Sequence, residues 1–139
     1  MTDLAAHHYG VTVTDLETAV AFYRDTLGLD VLDRFSVSGE AFATGVGVPG
    51  ATGSFAHLDA GGARVELIEY EPVGDDRRGG DVNDPGATHL GLSTDDLDAF
   101  YAGLPGDVET ISEPQTTASG TRICFFRDPD GNLVEVLEG

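Results

Sequence analysis

The sequence predicts an α+β protein built from two tandem βαβββ modules that form a mostly antiparallel, cupped sheet with helices on its outer face. Two observations carry this. Residues 8–17, HYGVTVTDLE, are echoed at 89–98 by HLGLSTDDLD, and RVELIE at 64–69 is echoed by LVEVLE at 133–138, the signature of a duplicated unit. Within each copy, period-two alternation gives way to helical spacing and then returns to alternation. Module 1 is read over 7–70, a linker over 71–87 and module 2 over 88–139, all within one domain of 139 residues.

His7–Val13 alternates as a half-buried strand. Thr14 with Glu17 then reads as a capping box. Leu16, Ala19, Val20, Tyr23 and Leu27 follow at helical spacing, and Gly28 stands where a helix ends. Alternation resumes at Val31. A third and a fourth strand, roughly Ser54–Asp59 and Arg64–Tyr70, flank the Ala60–Gly61–Gly62 turn, and residues 38–53 read as a loop. The Gly-, Pro- and Asp-rich stretch Glu71–Ala87 reads as the linker. Module 2 repeats the order: a strand from Thr88, a helix around Asp96–Leu104 and a strand near Val108–Ile111. A hairpin of Thr121–Arg127 and Asn132–Leu137 follows, turning at Asp128–Pro129–Asp130–Gly131. His8 and His89 lie 81 residues apart but Glu66 and Glu135 only 69, so the second copy is 12 residues shorter between these landmarks.

Strand alternation sorts the faces. Tyr9, Val11 and Val13, and Leu90 and Leu92, suit the helix side, which leaves His8, Gly10 and Thr12, and His89, Gly91 and Ser93, on an open face. Glu66 and Glu135 hold equivalent places on the last strands. Taken singly, a strand His is commonly a core or surface residue and a strand Glu commonly faces water. Duplication, however, requires the members of each pair to share an environment. Two imidazoles and two carboxylates gathered by a pseudo-twofold need a cation, because unpaired buried carboxylates are costly. Mixed N and O donors suit Zn, Ni, Co, Mn or Fe(II).

The stretches HHYGVTVTDLETAVAFYRDTLGL, THLGLSTDDLDAFYAGL and FFRDPDGNLVEVLE resemble the vicinal oxygen chelate superfamily. That group includes glyoxalase I, methylmalonyl-CoA epimerase, the extradiol dioxygenases and the fosfomycin and bleomycin resistance proteins. The resemblance covers nearly the whole chain apart from the linker and the 38–53 loop. It implies that His8, Glu66, His89 and Glu135 are the metal ligands, and that Glu66 and Glu135 move protons, with Glu135 favoured as the base. It also implies one divalent metal ion, no organic cofactor, a small-molecule substrate and a homodimer. The implied reaction is a lyase or isomerase step on a carbonyl compound with vicinal oxygens. An Fe(II) dioxygenase using His8, His89 and Glu135, and a metal-free binding protein of the bleomycin-resistance kind, are the alternatives.

Other residues read more plainly. His57, alternating with Phe55, reads as packing, with a site role as its alternative. Tyr70 and Phe125–Phe126 read as core or pocket walls. Arg64, Arg122 and the linker pair Arg77–Arg78 are candidate contacts for an anionic substrate, without an assigned place. Gly45, Gly47 and Gly50 match G-x-G-x-x-G, but no strand runs into them and Pro49 stands where a helix should begin, so a dinucleotide site is rejected in favour of a loop bordering the pocket.

Charge bounds the partners. Against 25 Asp and Glu stand 7 basic residues, all Arg, for a net charge of −18, which excludes nucleic acid and anionic membrane as partners. The scattered acids and absent Lys suggest a salt-rich cytosol, where ions screen self-repulsion; a fold and activity that survive dialysis into salt-free buffer would contradict this. The lone Cys124 excludes an intramolecular disulfide, and MTDLAAHHYG does not read as a signal peptide, so a cytoplasmic location is expected.

Overall fold

A computed structural model describes residues 2–77 and 79–139; Arg78, one of the candidate substrate contacts, lies outside them. The chain divides into two compact units, Met1–Asp76 and Arg77–Gly139, and the boundary falls inside the segment read as the linker. Each unit holds one four-stranded mixed sheet, with strand order β1-β4-β3-β2 in the first and β5-β8-β7-β6 in the second.

In unit 1, β1 (His8–Thr12) leads into α1 (Leu16–Ala21), which runs on as a π-helical turn over Phe22–Thr26. The cap differs from the expected Thr14–Glu17 box. Asp15 is the N-cap and accepts from the Thr18 N–H at 3.1 Å, while Glu17 pairs with Arg34 on β2, because an Asp one residue closer to the first turn reaches the free N–H groups. The helix closes as expected. Gly28 takes φ 75° and the Leu29 N–H bonds the Tyr23 carbonyl at 3.1 Å, a reversal that glycine makes without steric penalty. Leu16, Ala19, Val20 and Tyr23 are buried, as are Val11, Leu58, Val65 and Leu67 on the sheet, and α1 packs on β3 and β4 to form the core of the unit.

β2 (Val31–Val37), β3 (Thr52–Asp59) and β4 (Arg64–Glu71) are antiparallel neighbours, and the Gly61–Gly62 turn joins the last two. Residues 38–53 are not simply a loop. They contain α2 (Glu40–Val46), closed by Gly47 at φ 75°, and the start of β3. None of its residues is buried, so it lacks the apolar stripe by which a helix is read from sequence. In the G-x-G-x-x-G segment the helix precedes Gly47 instead of following the glycines, the reverse of a phosphate-binding turn.

Unit 2 repeats the plan with β5 (His89–Ser93), α3 (Leu97–Ala102), β6 (Gln115–Thr116), β7 (Arg122–Arg127) and β8 (Leu133–Glu138). The strand expected at Val108–Ile111 is reduced to one bridge, Thr110 to Phe126. Pairing with β7 resumes only at β6, because Pro114 between them has no N–H to offer the ladder. The β2–β3 connection has fourteen residues (38–51) and the β6–β7 connection five (117–121), so the segment bearing α2 accounts for nine of the twelve missing residues. Asp128 Oδ1 accepts from the N–H groups of Asp130 and Asn132, each at 2.9 Å, which locks the turn before β8.

β1 runs parallel to β4 and β5 parallel to β8; the other pairs are antiparallel. The second acid of each RVELIE-type motif is structural within its unit. Glu69 accepts from the Leu16 N–H at 2.7 Å and Glu138 from the Leu97 N–H at 2.8 Å, so each sheet caps its own helix. No helix among the described residues is long and apolar enough to cross a membrane.

Candidate metal-ligand pairs

The parallel β1–β4 register sets Gly10 opposite Glu66, and the β5–β8 register sets Gly91 opposite Glu135. Each His stands two residues before its Gly, hence on the same face as the Glu. With no side chain at the Gly, imidazole and carboxylate lean toward one another over the strand. His8 Nε2 lies 3.4 Å from Glu66 Oε1, and His89 Nε2 lies 3.3 Å from Glu135 Oε1. The same pair is thus formed twice, once in each unit. Both imidazoles are over a third exposed at the side chain, whereas the two Glu side chains are mostly covered.

These spacings exceed the usual hydrogen-bond range of about 2.7–3.2 Å. They match the gap between N and O donors held by one cation at about 2.0–2.2 Å from each. The donor chemistry therefore suits a borderline divalent ion. Each unit supplies a pair, and among the described residues no three His, Cys, Asp or Glu side chains form a metal-holding group.

The surroundings of the two pairs differ. In unit 1 the register partner of Glu66 on β3 is His57, which is 6% exposed. Its Nε2 lies 2.7 Å from Glu66 Oε2, and Arg64 Nη1 donates to its Nδ1 at 3.2 Å. His7 Nδ1 stands 2.7 Å from His8 Nδ1, which leaves His8 Nε2 toward Glu66. In unit 2 the equivalent partner of Glu135 is Phe125, whose ring meets His89 edge-on at 5.0 Å. Sequence reading left His57 to packing and gave Arg64 no place. Counting two residues away from the turn on each strand, back from Asp59 and forward from Arg64, would have found the His57–Glu66 contact.

Beside His57 the same face carries aromatic rings. Phe35 stacks on Phe55 at 5.0 Å and meets His57 edge-on at 5.2 Å, and Phe42 of α2 stacks on Tyr70 at 6.3 Å. Burial, and after it the Glu66 charge, raise the Tyr70 hydroxyl above its ordinary pKa. An open depression of about 690 Å³ lies between α2 and the Pro49–Thr52 segment, so the glycine loop does line a hollow. Of the other expected residues, Phe126 is fully buried beside Phe100. Arg122 is paired with Asp98 at 2.8 Å.

Duplicated βαβββ units, each presenting a His–Glu pair on its open sheet face, define a class of α+β proteins. The chain belongs to the glyoxalase/bleomycin resistance protein/dioxygenase superfamily, whose model matches residues 5–136. It is 28% identical over 145 aligned residues to a 2-epi-5-epi-valiolone epimerase of Actinomyces, covering 96% of this chain and 79% of that one. It is 31% identical to the uncharacterized protein YaeR of Escherichia coli, covering 95% and 94% of the two chains. The crystal structure of a glyoxalase family protein from Bacillus cereus matches with a TM-score of 0.88 at 24% identity, over 99% of this chain and 95% of that one.

Proposed function

We propose that the protein is a divalent-metal-dependent lyase or isomerase that chelates two neighbouring oxygens of a small carbonyl substrate and moves a proton on the adjacent carbon. The observation that carries this reading is the His–Glu pair repeated at 3.4 and 3.3 Å; a relative that is an epimerase supports it. His8, Glu66, His89 and Glu135 would be the residues that hold the ion. The bound ion supplies Lewis-acid stabilisation of the oxyanion that develops as the carbon-bound proton leaves.

The chain's own residues divide the remaining work. The imidazoles of His8 and His89 offer Nε2, and Gly10 and Gly91 keep the space over the strands open. Glu135 takes the proton, because Phe125 beside it offers no hydrogen bond to hold the carboxylate still, whereas His57 holds Glu66. The aromatic wall of Phe35, Phe55 and Tyr70 keeps water from one side of the site. With a chain charge of −18, a neutral substrate is better suited than a thiol adduct or a CoA ester.

Metal analysis of purified protein, combined with ¹H NMR of 2-oxo and 2-hydroxyketone compounds in D₂O, tests the reading. The expected result is one equivalent of Zn, Ni, Co or Mn and exchange of the carbonyl-adjacent proton, lost in Glu135→Gln. Iron with oxygen uptake on a catechol would instead mark a dioxygenase, and no metal with no effect of chelators would mark a binding protein.

A further inference from the structure

The two His–Glu pairs are alike in their own spacing and unlike in what stands behind the carboxylate, and the difference lies in one residue on β3 and its partner on β4. A guanidinium only donates hydrogen bonds, so Nδ1 of His57, at 3.2 Å from Arg64 Nη1, accepts. The ring proton therefore sits on Nε2 and is donated to Glu66 Oε2 at 2.7 Å. Both ring nitrogens are then committed, so His57 has no lone pair left for a cation. Glu66 in turn has one oxygen committed to His57 and the other, Oε1, facing His8 Nε2 at 3.4 Å. The ring of His57 is itself held, buried, with Phe35 edge-on at 5.2 Å and His8 at a ring-centroid distance of 6.0 Å.

We infer that His57, set in its tautomer by Arg64 on one side and Glu66 on the other, is a positioning residue that holds Glu66 as a one-oxygen, fixed metal ligand. The proposal rests on the metal reading above. It makes the two carboxylates unequal by construction, since Phe125 occupies the corresponding place in unit 2. Partners that orient a metal ligand from behind are worth about 10–100-fold in metal affinity.

Three variants test this, with Co²⁺ as the probe. His57→Phe copies the unit 2 arrangement, His57→Gln keeps a side-chain N–H to offer Glu66, and Arg64→Met removes only the outer, solvent-facing donor. Calorimetry and the visible spectrum of bound Co²⁺ report affinity and ligand geometry, and ¹⁵N NMR of the histidine rings at pH 7.5 reports the His57 tautomer without any metal. The expected results are a loss of Co²⁺ affinity of about 10–100-fold in His57→Phe with an altered spectrum, and recovery of most of it in His57→Gln. Arg64→Met should keep the melting temperature and lose several-fold in affinity, while the His57 ring keeps its Nε2–H because the Glu66 carboxylate beside it only accepts. Should His57→Phe fail to fold, Arg64→Met and the ring tautomer decide by themselves. Wild-type affinity and spectrum in both His57→Phe and Arg64→Met would overturn the proposal while leaving the metal reading standing. Wild-type protein that takes up no Co²⁺ would overturn the metal reading itself.

Discussion

Within RVELIE, two acids three residues apart have opposite duties, and their removal should separate them. Glu69 points to the helix side and accepts the Leu16 N–H at 2.7 Å in a partly buried setting. Replacing it with Ala leaves that N–H without its charged acceptor. Hydrogen bonds to charged groups contribute about 1.5–3 kcal/mol, so Glu69→Ala should cost about 2 kcal/mol. Globular proteins unfold with about 2.1 cal/mol/K of entropy per residue; over 139 residues this converts the loss into a fall of about 7 °C in Tm. Glu69→Gln keeps a neutral acceptor and should lose about half as much. Glu66→Gln keeps an oxygen for His57 and should cost under about 1 kcal/mol in metal-free protein. Glu138 and Glu135 should repeat the contrast in unit 2, where Glu138 accepts the Leu97 N–H at 2.8 Å. Thermal melts followed by circular dichroism on metal-free protein supply the measurement. A Glu69→Ala melt within 1 °C of wild type, or a Glu66→Gln loss equal to that of Glu69→Ala, would refute the assignment of caps and site acids.

Two further perturbations probe the packing on either side of the sheets. A Cβ at Gly53 would meet the Phe55 ring at 2.7 Å and Phe42 at 3.3 Å, so Gly53→Ala should cost about 1–3 kcal/mol in a urea titration, as overpacking does; a neutral effect would mean that the rings move freely. The Cys124 thiol is buried, donates weakly to the Ser112 carbonyl at 3.6 Å and has its pKa raised by that burial. At pH 8 it is therefore less ionised than a free thiol and shielded, so iodoacetamide should label it slowly in folded protein and at the rate of a free thiol in 8 M urea. Rapid labelling without urea would show that β7 opens readily.

Much of this architecture is legible in the chain because it is written twice. Each echoed motif marks a strand and a candidate site residue, the first echo also marks a helix start, and Gly28 ends α1 where the pattern stops. Legibility failed where an element lacks a buried stripe, as in α2, or where a single proline interrupts a ladder, as at Pro114. It failed again for His57, whose type and alternation are those of any packed residue. Its role depends on Glu66 nine positions later, and only the hairpin register connects them.

The excess of acids illustrates the same division. Composition alone yields the expectation of no polyanionic partner, since charge counts need no geometry. It cannot say that Glu66 faces a histidine while Glu69 caps a helix, because strand alternation and cross-strand register decide which face each carboxylate occupies. The pairing of His8 with Glu66 and of His89 with Glu135 is foreshadowed by the repeat, which demands equal environments for equal residues. The inequality between the pairs, His57 behind one and Phe125 behind the other, comes from tertiary structure alone, because the contacts that define it run across strands rather than along the chain.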